Sequence, residues 1–260
     1  MSFWTAAPVA DVEAGGPSSF RMTALPQACV GPDEYQFFMG GVAMAAAIEA
    51  LERATDKPLL WATIQFLNHG YLGDEILIDV EATGGGRNVT QMMATLTKQD
   101  TVLQRVIGAL GERPADRDDV FVSMPDVPPP DQSPPKADDT FGRADNLLAQ
   151  FERRTAFEDN DRGLECMWMR PVFDTEVSAP LLALMSDFFL GAHPATRGGT
   201  SLDNTLRLHA VAPSEWILCV TQFAGFVRGA VHGTQHMFTQ DGVLLTSSSQ
   251  TGLLPNRRKA

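Results

Sequence analysis

The chain has little of what would place it outside the cell, in a membrane or on nucleic acid. Its three cysteines, Cys29, Cys166 and Cys219, stand among 260 residues at no metal-ligand spacing. An odd, scattered trio does not make a disulfide framework, so the expected setting is a reducing, cytoplasmic one. No apolar run reaches the roughly 20 residues of a membrane span. The longest, around Val42 to Leu51, is short and carries Glu49. The start, "MSFWTAAPVADVEAGG", lacks the basic segment of a secretory signal. Positive charge is scarce: 20 Lys and Arg stand against 32 Asp and Glu, a net charge of -12. That balance repels nucleic acid phosphates, and no basic stripe interrupts it. The locally basic Arg257-Arg258-Lys259 reads first as a solubilising tail and second as a contact for an anionic ligand.

Familiar catalytic signatures are missing too. There is no Gly-x-Ser-x-Gly elbow, so a serine hydrolase of that kind has no nucleophile. His232 and His236 would share one face of a strand-like segment, without a His-Glu-x-x-His pattern or an acidic third ligand. Gly84-Gly85-Gly86 precedes no Lys-Ser/Thr and reads as a turn, not a phosphate loop. Cys219 sits in an apolar strand, where packing is the commoner role. Neither a metal nor any other cofactor is implied.

What the chain does have is a repeat. "TKQDTVLQRVIGALG" (97–111) returns as "TQDGVLLTSSSQTG" (239–252), and "GDEILIDVEA" (73–82) as "PSEWILCVTQ" (213–222). His69 recurs as His209, and the offsets run from 140 to 142. Between the copies lies "MPDVPPPDQSPPKADD", whose six prolines disfavour helix and central strand. The expected organisation is a first unit over 1–115, a Pro-rich linker over 116–140 and a second unit over 141–260.

Each unit reads alike: a short strand (near Phe20 to Ala24, and Gln150 to Phe157), an irregular stretch, one helix and four strands. The first helix, "GGVAMAAAIEALERA", is apolar nearly all round and therefore buried, and its small residues let a sheet come close. The second, "SAPLLALMSDFFLGA", has Ser178 to cap it, Pro180 in its first turn and Gly191 to close it. Ile76, Ile78 and Val80 alternate with Leu77, Asp79 and Glu81, as a half-buried strand requires. One helix wrapped by an antiparallel sheet, present twice, is an α+β double hotdog architecture. Pairing the two sheets edge to edge would remove exposed edges. The pattern alone leaves a repeat of another α+β unit, or two independent modules, open.

The copies also differ. At an offset of 140 Asp203 lies opposite Thr63, and at 141 Gln250 lies opposite Ala109. Two polar residues unmatched in the first copy ask for partners or for solvent, because burial without partners is costly. A solvated face, with Asp203 beside Arg207 and Gln250 beside Thr246 and Ser248, explains them as well.

At these residues the chain resembles the type II acyl-CoA thioesterases, which are double hotdog proteins. "FFMGGVAMAAA" is similar to the family's entry into its first helix, with Val42 where the family has Gln. "LMSDFFL" resembles the Ser-Asp segment of the second helix, "SLDNTLRLH" the Asp-bearing strand, and "GTQHMFTQDGVLLTSSSQTGLLPNR" the closing hairpin. The resemblance implies hydrolysis of an acyl-CoA by a water held between Asp, Ser or Thr, and Gln. Carried over by position, Asp203 is the general base and Gln250 orients the water. The family's hydroxyl falls at Ala224, which has none; Gln222 on the same strand is its substitute, with Thr221 nearby. Backbone amides near Gly40 and Gly41 would bind the substrate oxyanion, and the acyl chain would run past Met44, Met92 and Met93. The implied partner is acyl-CoA, with self-association into a homo-oligomer left open. Two competing readings remain: a hotdog hydratase using His69 or His209, and an acyl-thioester binding module without turnover.

Overall fold

The computed structural model describes residues 2–9, 18–136 and 144–256. The basic tail at 257–259 and the linker's end lie outside these. In the N-terminal half, β1 (Ala7–Pro8) and β2 (Ser19–Thr23) precede a small ladder of β3 (Cys29–Val30) and β4 (Phe37–Phe38). Then come α1 (Gly40–Thr55), β5 (Leu59–Phe66), β6 (Glu75–Gly85), β7 (Val89–Lys98) and β8 (Thr101–Gly111). The C-terminal half holds β9 (Phe151–Asp159), β10 (Leu164–Pro171), α2 (Ala179–Ser186), β11 (Thr200–Leu208), β12 (Ile217–Val227), β13 (Ala230–Thr239) and β14 (Leu244–Leu253).

Apart from β3 and β4, the strands form one antiparallel sheet of 12, ordered β1-β2-β6-β7-β8-β5-β11-β14-β13-β12-β10-β9. The order within each half is the same, and the halves meet edge to edge at β5 and β11. At that seam Thr63 faces Thr205, 142 residues on, with their hydroxyls 2.9 Å apart. The expected α+β double hotdog is the observed fold.

The helices follow from their composition. α1 is rich in Ala and buries every residue from Gly41 to Ile48, then Ala50 and Leu51. It ends at Asp56, whose left-handed backbone (φ 53°) turns its N–H back onto Glu52 O. α2 is capped by Ser178 Oγ, which accepts from Leu181 N–H, and is shorter than its apolar run suggests. From Asp187 to Ala192 the backbone tightens into a 3-10 helix. Such a change of pitch inside a helical run often marks a functional position.

The linker is extended, as its prolines dictate, yet it is no free spacer. Met124 and Val127 pack on a second core of Cys166, Trp168, Trp216, Leu218, Phe238 and Leu244 on the outer face of the C-terminal sheet. Trp168 Nε1 donates to Pro128 O at 2.9 Å. Further on, Thr155 N–H donates to Pro134 O and Lys136 N–H to Arg153 O, so the linker also covers the free edge of β9. A covered edge cannot template aggregation.

α1 and α2 touch where α1 begins. A Cβ on Gly41 would lie 2.6 Å from Leu184 O and 2.8 Å from Asp187 Cβ, closer than atoms can approach. Gly41→Ala is therefore expected to destabilise the fold by about 1–3 kcal/mol through overpacking. Gly86→Ala, where nothing lies within 4 Å, is the control. Urea unfolding midpoints check the pair: equal shifts in the two variants would contradict the close helix approach.

Candidate active site

The end of α2 carries a carboxylate into the interior. Asp187 is 5% exposed and sits between Met185 and Phe188, both buried. Its Oδ2 accepts from Gly41 N–H at 2.7 Å, across from the N-terminal half. Its Oδ1 accepts from Gln250 Nε2 at 2.8 Å, and Ser201 Oγ lies 3.5 Å away. Gln250 Nε2 also donates to Ser201 Oγ at 2.8 Å. The Gln250 Oε1, buried as well, meets no protein partner. Next to this group Asn204 Nδ2 donates to Ser186 Oγ at 2.8 Å, tying β11 to the last turn of α2.

Each member is placed by local backbone chemistry. β11 departs from its ladder register between Ser201 and Asp203. Such a bulge resets the two-residue alternation. Ser201 and Asn204 therefore both face inward, while Leu202, 39% exposed, takes up the extra residue. Across the ladder Gln250 pairs with Asn204 on the same inner face. β5 carries a matching shift between Leu59 and Trp61, and its Ala62 pairs with Gly108 of β8. The structural counterpart of Gln250 is thus Gly108, 142 residues back, the same offset that relates Thr63 to Thr205.

Burial raises the Asp187 carboxyl from an ordinary 3.8 to about 6. The bonds from Gln250, Gly41 and Ser201 pull it down but only in part. Desolvation of the anion wins because no cation accompanies it.

The sequence-predicted residues divide accordingly. Gln250 and Gly41 lie in this cluster, and Gly40 lies against it: a Cβ there would be 2.9 Å from Asp187 Oδ2 and 2.3 Å from the Phe66 ring. Asp203 does not reach it. Its Oδ1 accepts from Thr251 N–H at 2.7 Å, because the bulge turns it from the face that Ser201 occupies. Gln222 is exposed, and its Nε2 donates to the carbonyls of Arg162, Gly163 and Phe223, on the face opposite the buried Thr221 and Phe223. Ala224 is exposed too. Of the methionines, Met44 and Met92 are buried, whereas Met93 is only half-buried and lies on the other face of β7. His209 bonds Ser247 Oγ, and His69 stacks edge-on against Phe37; both rings are exposed residues outside the Asp187 cluster. Among the described residues no group of three or more His, Cys, Asp or Glu could hold a metal ion, and no helix is long and apolar enough to cross a membrane.

Asp187 and Ser201, which the structure brings into this cluster, are not among the site residues that the sequence predicts. Asp187 interrupts an apolar run, "LLALMSDFFL", in which every neighbour wants burial. A carboxylate there must be buried with them, and that signal was available.

Two family models match the chain: the acyl-CoA thioesterase N-terminal domain over residues 34–111 and the acyl-CoA thioesterase C-terminal domain over 123–254. The chain belongs to the acyl-CoA thioesterase family. No curated protein matches it. Among solved structures it is similar to a "putative thioesterase" from Novosphingobium aromaticivorans, with 26% identity and a TM-score of 0.87 over 98% of this chain and 100% of that one. It also resembles the tesB protein of Mycobacterium avium subs paratuberculosis (19% identity, TM-score 0.78, 97% and 96% covered). A third likeness is to acyl-CoA thioesterase II TesB2 of Mycobacterium marinum (18% identity, TM-score 0.75, 99% and 98% covered).

The raised carboxyl has a consequence for stability. With a folded value near 6 above an unfolded 3.8, the folded protein holds this proton more tightly. The stability it adds is full below pH 3.8 and is lost as pH rises through 6. Asp187→Asn keeps the neutral form at every pH. Its Oδ1 can take the Gly41 N–H, and its Nδ2 can meet the free Gln250 Oε1 once that amide turns. The variant should exceed the wild type by about 2–3 kcal/mol at pH 8 and match it near pH 4. Urea unfolding at both pH values checks this; a difference independent of pH would mean that Asp187 is not ionised inside.

Proposed function

We propose that this protein hydrolyses acyl-CoA thioesters with a water activated by Asp187. One observation carries the reading: a buried carboxylate, raised to about 6 and bonded to an amide side chain and a hydroxyl, at the start of a helix. A base of that strength takes a water proton efficiently near neutral pH. The reacting water would give one O–H to Asp187 and the other to Gln250 Oε1. Ser201 supplies the hydroxyl that the family pattern requires and that Ala224 lacks. This assignment moves the base from Asp203 to Asp187 and leaves Gln222 outside the chemistry.

The oxyanion falls to the start of α1. Gly41 N–H is taken by Asp187, and the N–H groups of Val42 and Ala43 are turned onto Met39 O. Gly40 N–H is the first-turn amide outside these bonds, at the positive end of the helix dipole. The Asp187 proton then passes to the departing sulfur, and a thiolate leaves readily even before it arrives. The absence of any His side chain in the cluster favours hydrolysis over hydration of a 2-enoyl thioester.

Steady-state thiol release from a panel of acyl-CoAs tests the reading. Turnover should rise about tenfold per pH unit below 6 and level off above 7, tracking ionised Asp187. Asp187→Asn should lower kcat by ~10²–10⁴ with little change in KM, the mark of a group acting in the transition state. Asp203→Asn and Ala224→Thr should leave kcat within a factor of two, roughly the size of surface effects. Loss of turnover in Asp203→Asn with full activity in Asp187→Asn would return the base to Asp203.

A further inference from the structure

The inner faces of the two halves can be read against each other strand by strand. In the N-terminal half one row across β6, β7, β8 and β5 is Val80, Ala94, Val106 and Ile64. The matching row across β12, β13, β14 and β11 is Thr221, Gln235, Ser248 and Leu206, and β10 extends it with Glu165. An apolar row has become polar, and it is buried: Glu165 and Thr221 are 1% exposed, Gln235 2% and Ser248 6%.

Protein partners satisfy this row only in part. Gln235 Nε2 donates to Thr221 Oγ1 at 3.0 Å, but Gln235 Oε1 has no partner. Glu165 Oε1 accepts from Lys136 Nζ, while Glu165 Oε2 has none. Thr246 Oγ1, Asn204 Oδ1 and Gln250 Oε1 on the same inner face are also without partners. Five buried acceptors left open in one sheet face is more than a packed interior tolerates, unless water fills the gaps. The row begins beside Gln250 and Asn204 at the Asp187 cluster. With strands about 4.8 Å apart, it runs roughly 14 Å from Ser248 to Glu165. There Lys136 also lines a surface pocket of about 290 Å³, with Pro134, Pro135, Thr155, Glu158 and Arg197.

We propose that this row is a hydrated conduit, which brings the reacting water to Asp187 from the Lys136 pocket while a thioester fills the active site; this rests on the hydrolytic reading above. Each turnover consumes one water. Its O–H bond breaks as Asp187 takes the proton, its oxygen bonds the acyl carbon, the C–S bond breaks, and sulfur receives that proton. A bound substrate covers its own side of the site, and the row gives the water a second way in through the protein. Thr221, Gln235 and Ser248 do not touch the reacting atoms; they hold and position water.

The test makes the row apolar without changing its shape. Thr221→Val restores the residue type of the N-terminal row, and Gln235→Met keeps the volume. Losing one bridging hydrogen bond in the supply should lower kcat about threefold to tenfold, singly or together. KM for acyl-CoA should not move. Thr221→Val alone leaves Gln235 Nε2 without its acceptor and should lower the melting temperature. The double variant removes both partners and the open Gln235 Oε1, so its melting temperature should hold or rise. An unchanged kcat in folded Thr221→Val overturns the conduit; that isosteric variant carries the test if the double variant fails to fold. A high-resolution crystal structure gives a readout free of turnover. Ordered waters on Gln235 Oε1, Asn204 Oδ1 and Gln250 Oε1 are expected, and a dry row in an active enzyme overturns the inference. Wild type that cleaves no acyl-CoA overturns the hydrolytic reading instead, whatever the hydration.

Discussion

The site depends on one hydrogen bond, from Gly41 N–H to Asp187 Oδ2 at 2.7 Å. It joins the first turn of α1 to the last turn of α2 across the middle of the molecule. Only glycine lets the helices come close enough to make it, because any Cβ at residue 41 would strike Leu184 O and Asp187 itself. The bond also fixes how the carboxylate is oriented. With Oδ2 held by the amide, Oδ1 must face Gln250 and Ser201, which reach it from β14 and β11. The helix dipole and the three bonds favour the anion; burial opposes it and prevails, leaving the group near 6. A stronger set of partners would have made a more stable protein and held the carboxyl nearer its ordinary value.

The fold was legible in the sequence because it is written at large scale. Helix and strand periods, the Pro-rich break and the recurring motifs each cover many residues, so a slip of one or two positions does no harm. The site was not legible in the same way, because a slip of one position moves a strand residue to the other face. Offsets of 140 and 141 set Asp203 against Thr63 and Gln250 against Ala109, whereas the ladder registers set Thr205 against Thr63 and Gln250 against Gly108. Gln250 still came out as an unmatched polar residue, since Ala109 and Gly108 are both small and apolar. Asp203 lies outside the Asp187 cluster: strict alternation after Ser201 would turn both inward, but the bulge at Leu202 turns Asn204 inward instead. Gln222 shares its strand face with Ala224, and both lie on the exposed side of β12, away from the Asp187 cluster. Bulges have no dependable signature in a single sequence.

The polar content of the C-terminal half has a cost that the N-terminal half offsets. An unpaired buried polar group costs about 1–3 kcal/mol, and an ionised carboxylate more. The N-terminal half carries fewer such groups, Gln36 Oε1 and Gln104 Oε1, beside a 16-residue helix buried along most of its length against Ile76, Ile78, Val80, Leu96 and Val106. The two cores are continuous through the α1–α2 contact, since Met44, Ile48, Leu182 and Met185 belong to one cluster. A half that carried the site alone would have had to stabilise it with a helix of eight residues.

Why a fused pair of like units builds one site and not two follows from the helix starts. α1 has Met39 at its N-cap, whose side chain makes no capping bond, so Gly41 N–H is left for Asp187 and Gly40 N–H stays outside the first-turn bonds. α2 begins differently: Ser178 Oγ takes Leu181 N–H, and Pro180 has no N–H to give. Pro180 stands where α1 has Gly41, so an anion at the start of α2 would lack that amide. Its would-be neighbours on the N-terminal sheet are Leu59, Ala62 and Gly108, where the C-terminal sheet has Ser201, Asn204 and Gln250. A symmetric homodimer could not separate these roles, because every residue appears in both positions. Joining the units in one chain lets one helix offer an amide at its start and the other lend the carboxylate that takes it, so that each half supplies what the other lacks.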